Sequence, residues 1–333
     1  MNKKLITAAL VAVTLAAGIT AASIFRPICT TEHDVCLYLD KDDDLDSVKT
    51  KLSALGTSTT GFSLLTTLRP FTAHSGRYVM HQGMSAWDVF VKLRLGAQDA
   101  VNMTIPSVRT LDRLAGAMTR GLLLDSLTLL RALEDEDFIR SYGYDRATLP
   151  ALIIPNTYQV YWDITLEGMM ERMVKENKRF WNEERTAKAQ ALGLSTTEVV
   201  TLASIVDEET ACNAEKPTIA GLYLNRLRKG MLLQADPTVK KAVGNWSLRR
   251  VLNEHLRCES PYNTYLHQGL PPGPLRIVSV VGIDAVLNAA KHDYLYMCAK
   301  EDFSGTHNFA TTLAEHQRNA QRYVHALNQR GIR

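Results

Sequence analysis

The chain has 333 residues, 46% of them apolar and 22% charged, and a formal net charge of +3. That length and apolar fraction are enough for two hydrophobic cores, and so mild a charge, with no basic stripe, excludes nucleic acid as an expected partner. Neither a CxxC nor an HExxH pattern occurs, so no metal and no other cofactor is expected.

In chain order, Lys3 and Lys4 precede an uncharged apolar run over residues 5–25. As a helix, such a run is long enough to cross a hydrocarbon core of about 30 Å. The flanking lysines keep the N-terminus cytoplasmic and send the remainder across. A single-pass anchor over residues 1–27 in the cytoplasmic (inner) membrane is therefore expected, with the rest periplasmic or extracytoplasmic. The competing reading is a cleavable signal peptide ending near Ala21-Ala22-Ser23, for which the run is long. Cys29 has no lipobox before it.

Residues 28–103 alternate short strands and helices. A strand at 36–39 precedes an amphipathic helix at 45–55, and a strand at 76–79 precedes another at 86–95. Cys29 and Cys36 are close enough in sequence to bridge in an oxidising compartment, leaving Cys212, Cys258 and Cys298 scattered. Residues 104–145 read as a helical connector and residues 146–333 as a second, larger domain. Its last helix is predicted over 313–329, opened by Thr312 with Glu315 and stopped by Gly331. The fold class is α+β.

The densest chemistry lies in LASIVDEET, residues 202–210, followed by NRLRKGMLLQADPTV, residues 225–239. Ser195 with Glu198 three residues later forms a capping box, so a helix is predicted from Thr196 to about Thr210. At 100° per residue, Val199, Leu202, Ile205 and Val206 share one face. Glu208 falls with Thr201 and Ser204 on the side read as solvated. Asp207 and Glu209 flank the apolar face, and either could be desolvated enough to hold a proton near neutral pH, as a catalytic acid must. Helix geometry does not choose between them.

Seven motifs in order carry a resemblance: residues 202–210, Asn225-Arg226-Leu227, Gly230-Met231 with Gln234, Asp236-Pro237-Thr238, Tyr262-Asn263-Thr264-Tyr265, Gly269-Leu270-Pro271-Pro272-Gly273 and His307-Asn308-Phe309. Together they resemble the YceG-like endolytic murein transglycosylases, strongly over residues 152–323 and weakly before. The resemblance implies a YceG-like catalytic domain behind a small LysM-like module, acting on peptidoglycan glycan strands between N-acetylmuramic acid and N-acetylglucosamine and leaving 1,6-anhydro ends. It places the catalytic acid at Glu209, the residue directly before the threonine. It also implies cell-wall synthases as partners.

Substrate contacts are expected from Asn225, Gln234, Asp236, Thr238, Asn263, Tyr265, His307 and Phe309, with Asp207, Glu215 and Arg226 in support. Each has a structural alternative. Amides also satisfy loop backbone, tyrosines also fill cores, an Asp-Pro pair also shapes a turn, and a lone histidine is usually structural. Glu215 is expected to brace the Glu209 helix or to hold Arg226. The chain departs from the family where an aromatic residue commonly follows DPTV by two places: here Lys240 and Lys241 precede Ala242. Glu208 stands in place of a frequent lysine, which makes the field at Glu209 more negative. A non-catalytic peptidoglycan-binding scaffold and a hydrolytic muramidase are the alternatives.

Overall fold

A computed structural model describes residues 3–248 and 250–331. Residues 1, 2, 249, 332 and 333, which the expected anchor and second domain include, lie outside the described residues. The chain divides into two compact units.

The first unit holds the residues up to Met103, with Gly121–Leu124 and Tyr158–Thr165. It begins with α1, Lys3–Phe25. Within Lys4–Phe25 an 18-residue window has mean hydropathy 2.2 and is not buried in the protein, so the helix is long and apolar enough to cross a membrane, while Ile24 near its end packs into the core of this unit. Strands β1 (Val35–Leu39) and β2 (Gly76–Met80) pair antiparallel, Val35 opposite Met80 and Leu39 opposite Gly76. Period-two alternation sends Leu37, Leu39, Tyr78 and Met80 into the core. Between these strands lie α2 (Leu45–Ala54), capped by Asp44, and α3 (Thr60–Leu68). Helix α4 (Ala86–Arg94) follows from the Ser85–Asp88 capping box. The predicted strands and both flanking helices are present; α3 carried no capping signal and was not predicted. Gly61 lets α3 meet the end of α1, since a Cβ there would sit 1.9 Å from the Ser23 carbonyl oxygen. The short strands β3 (Val101–Thr104) and β4 (Thr157–Val160) pair as well.

The proposed Cys29–Cys36 bridge is not formed, and all five cysteines are free. Cys29 is buried among apolar neighbours, whereas the Cys36 sulfur accepts a 3.2 Å hydrogen bond from Arg77.

The second unit contains α5 (Leu111–Met118), α6 (Ser126–Glu134) and α7 (Glu136–Arg140), then α8 (Leu166–Phe180) and α9 (Glu183–Ala191). Helices α10 (Thr196–Glu209), α11 (Lys216–Arg228) and α13 (Val280–Leu287) build its core, and α12 (Asp236–Val243) packs against α10. The antiparallel pair β5 (Tyr296–Ala299) and β6 (His307–Ala310) and the closing helix α14 (Leu313–Gln329) complete it. Helix α14 has the predicted bounds, with Thr312 accepting from the Glu315 amide and Gly331 in the left-handed region at φ 66°.

Helix α10 also starts on its predicted capping box, but its expected solvated side does not exist. Every residue from Val199 to Val206 is buried, because α9, α11, α12 and α13 all pack against the helix. Thr201 and Ser204 satisfy their hydroxyls by donating to the carbonyls of Thr197 and Thr201. The Ser204 hydroxyl oxygen in turn accepts from the Leu275 amide at 2.9 Å.

Candidate active site

Helix α10 stops at Glu209 because Thr210 turns to extended backbone, φ −142° and ψ 138°. The Thr210 hydroxyl donates to Glu215 at 3.3 Å and accepts from the Cys212 amide at 3.0 Å, which holds the exit of the helix. Glu209 lines a cavity of about 430 Å³ whose walls come from α11, α12, the β5–β6 pair and α14. Surrounding protein desolvates its carboxyl group. The Tyr223 hydroxyl, on α11, donates to Oε1 at 2.7 Å and opposes the effect, while the charges of Asp236 and Glu208 add to it. The balance pushes the Glu209 pKa from 4.5 up to about 7. Such a carboxyl group carries a proton for much of the time at neutral pH and can give it away.

The two preceding acids have different surroundings. The Asp207 side chain is 4% exposed; it receives Lys216 at 2.7 Å and the Ser279 amide and hydroxyl at 2.8 and 3.0 Å. It joins α10 to α11 and to the start of α13, and it does not line the cavity. Its contacts are structural, and of the two acids left open by helix geometry only Glu209 lines the cavity. Glu208, expected on a solvated face, is 6% exposed. Arg109 grips both of its oxygens, at 2.8 and 2.9 Å, and Arg276 adds a third contact at 2.7 Å. An α-helical face with charges at its end can be buried when arginines from other segments come to it.

Of the other predicted residues, Arg226, Gln234, Asp236, Tyr265 and His307 line the cavity with Glu209. Arg226 is buried and donates to the Leu233 carbonyl at 2.7 Å and to Gln234 Oε1 at 3.1 Å. Gln234 has φ 52°, a strained conformation for a residue with a side chain, and the Thr264 carbonyl accepts its amide. Tyr265 donates to Asp236 at 2.7 Å. Burial and that carboxylate raise the Tyr265 pKa, so it remains a donor at any ordinary pH. His307 presents its backbone amide and Nδ1 to Glu215 at 2.8 and 3.1 Å. Glu215 therefore braces the Thr210 exit, as one of its two expected roles required, and holds His307 in place of Arg226.

Four expected contacts lie outside the cavity wall. The Asn225 amide donates to the carbonyls of His292 and Tyr294, and that of Asn263, fully buried, to the carbonyls of Leu256 and Cys258. Thr238 is buried and shares a hydrogen bond with Thr264. Phe309 stacks on Tyr294 with centroids 5.4 Å apart and packs on the core. Asn263 and Thr238 hold the segments that carry Tyr265, Gln234 and Asp236, while Asn225 and Phe309 hold the 292–294 segment; the two amides do so because backbone carbonyls in a buried loop must be satisfied first. Conversely, the sequence reading passed over Tyr223, Tyr296, Met297, Cys298 and His316, all in the cavity wall. Tyr223 sits in an apolar helix with a hydroxyl that needs a partner, and that was the one signal available for it. Among the described residues, no group of three or more His, Cys, Asp or Glu side chains is placed to hold a metal ion.

Comparison with known proteins gives the same outline over a longer span than the motifs suggested. The YceG-like family matches residues 37–322, reaching back into the strand–helix unit where the sequence resemblance was weak. The endolytic murein transglycosylase of Bacillus subtilis is 30% identical over 272 residues, covering 77% of this chain and 74% of that protein. That of Streptococcus pneumoniae serotype 2 is 29% identical over 283 residues, and the chain spans about half of its length, 51%. A solved YceG-like protein from Listeria monocytogenes superposes with a TM-score of 0.55 at 26% identity, covering 86% of this chain and 99% of that one. By its motifs, its fold and a match across most of its length, this chain belongs to the YceG-like family.

Proposed function

We propose that this chain is an endolytic murein transglycosylase that cleaves the bond between N-acetylmuramic acid and N-acetylglucosamine in glycan strands, with Glu209 as the acid. The observation that carries this reading is a carboxyl group poised near neutrality in an open cavity, beside two acids that are both committed elsewhere. Protonated Glu209 gives its proton to the glycosidic oxygen as the C1–O bond breaks. The oxocarbenium-like C1 is captured by the muramic C6 hydroxyl, whose proton returns to Glu209, leaving a 1,6-anhydro end. The tethered nucleophile removes the need for a second carboxylate and gains the advantage of an intramolecular attack. Tyr223 steadies the carboxylate after it has given up its proton. Gln234, Asp236, Tyr265 and His307 offer polar edges to the sugars, with Arg226 holding Gln234.

In the same reading, residues 1–27 anchor the chain in the cytoplasmic membrane. Residues 28–103 form a LysM-like glycan-holding module, 104–145 a connector, and 146–333 a catalytic domain on the far side. The β–α–α–β order of the first unit and the apolar α1 support this arrangement. Partnership with synthases follows from the family resemblance alone. The test is digestion of purified peptidoglycan by the full chain in detergent, with mass spectrometry of new chain ends, beside Glu209→Gln. Anhydro ends that vanish in the variant are expected. Reducing ends would mean a hydrolase, and binding without cleavage would mean a scaffold.

A further inference from the structure

A second cavity, about 370 Å³ in volume, lies where Arg109 and Arg276 clamp Glu208. Four cations line it, Arg109, Arg146, Lys241 and Arg276, against two acids, Asp112 and Glu134. The cations are unevenly compensated. Arg109 and Arg276 share Glu208, while Arg146 reaches Glu134 only at 3.8 Å and is 64% exposed. Lys241 is part-buried, and among the described residues no acid lies within ion-pairing distance of it. Its ammonium faces the Tyr262 ring at 5.6 Å, and burial together with the Arg146 charge lowers its pKa. The Arg276 Nε is buried with no hydrogen-bond partner. An unpaired ammonium and a loosely held guanidinium lining one cavity are the donors a carboxylate would satisfy.

Helix α12 ties this cavity to the cleavage site. It carries Asp236 in the wall of the first cavity and Lys241 in the wall of the second, about 7.5 Å apart along the helix axis. We propose that the second cavity is a subsite for a carboxylate on the peptide stem of the bound strand, held by Lys241 and Arg146. This rests on murein being the substrate.

The experiment compares Lys241→Gln and Arg146→Gln with the parent, as full chains in detergent, on peptide-bearing glycan strands and on strands stripped of peptide by an amidase. Binding of a muramyl tripeptide is measured by calorimetry alongside. Each variant is expected to raise KM on peptide-bearing strands about five-fold, a factor typical of one charge-assisted contact, while KM on stripped strands and kcat on both stay within about two-fold. Tripeptide binding weakens by a similar factor. Arg146 is exposed enough that its variant folds even if loss of Lys241 perturbs packing. Equal changes on both substrates, or none on either, would overturn the subsite. If the parent cleaves neither strand but binds the tripeptide through Lys241, the subsite stands and the cleavage reading fails; no cleavage and no tripeptide binding would remove both.

Discussion

The two sides of the last turn of α10 present the same chemical group in opposite settings. On one side Asp207 and Glu208 are surrounded by Lys216, Arg109 and Arg276, with amide and hydroxyl donors from Ser279. On the other, Glu209 is desolvated by the surrounding protein, has no ion-pair partner among the described residues and hydrogen-bonds only the Tyr223 phenol, and its pKa rises to about 7. Three consecutive carboxyl groups thus divide into two that are ion-paired and one whose pKa is raised towards neutrality, and the division is made by what other segments bring to them. The lesson is that an acidic run at a helix end is sorted by its partners, since the residue types alone are nearly equivalent.

The sharpest way to break this contrast is Glu209→Gln, which removes the transferable proton. Loss of strand cleavage by about 10²–10⁴-fold is expected, read as the rate of new chain ends. If activity survives while Asp207→Asn abolishes it, the division is reversed. Asp207→Asn should instead act on the fold, because Lys216 would be left buried and unpaired. Destabilisation of about 3–5 kcal/mol is expected by denaturant titration, with the specific activity of the folded fraction largely kept.

The third prediction concerns stability against pH. Folded Glu209 has a raised pKa, so the protein binds a proton there that the unfolded chain releases. Its contribution is fully present below about pH 4.5, is lost as pH rises through about 7, and above that the ionised carboxylate burdens the fold. Glu209→Gln should therefore be more stable than the parent at pH 8 by about 1–3 kcal/mol and nearly equal to it at pH 4. Equal differences at both pH values would show that Glu209 is not desolvated. The smallest effect is expected from Tyr223→Phe. The lost hydrogen bond favoured the charged form, so the Glu209 pKa rises further and the alkaline fall of activity moves to higher pH, while kcat at the optimum drops by about ten-fold or less. A profile that moves to lower pH would contradict the role given to the phenol.

Where local signals were strong, the elements were legible without coordinates. The Ser195–Glu198 box started α10, Thr312 with Glu315 started α14, and alternating apolar residues marked β1 and β2. Helix α3 was missed because Thr59 makes no side-chain cap. At the site, Gln234, Asp236, Tyr265 and His307 line the cavity, whereas Asn225, Thr238, Asn263 and Phe309 lie outside its wall and bond to neighbouring segments. A motif residue that binds sugar and one that shapes the loop beside it look alike in a linear pattern.

What the sequence determined by itself was what depends on near neighbours: the capped helix starts, strand alternation, the apolar anchor-length run, the order of the motifs and hence the family. What only the tertiary structure decided was the state of each acid. Glu208 is neutralised by arginines 99 residues before and 68 residues after it, and the Ser204 hydroxyl is claimed by an amide 71 residues away. Desolvation and ion pairing are sums over whatever the fold brings within a few ångströms, and no local periodicity contains that information.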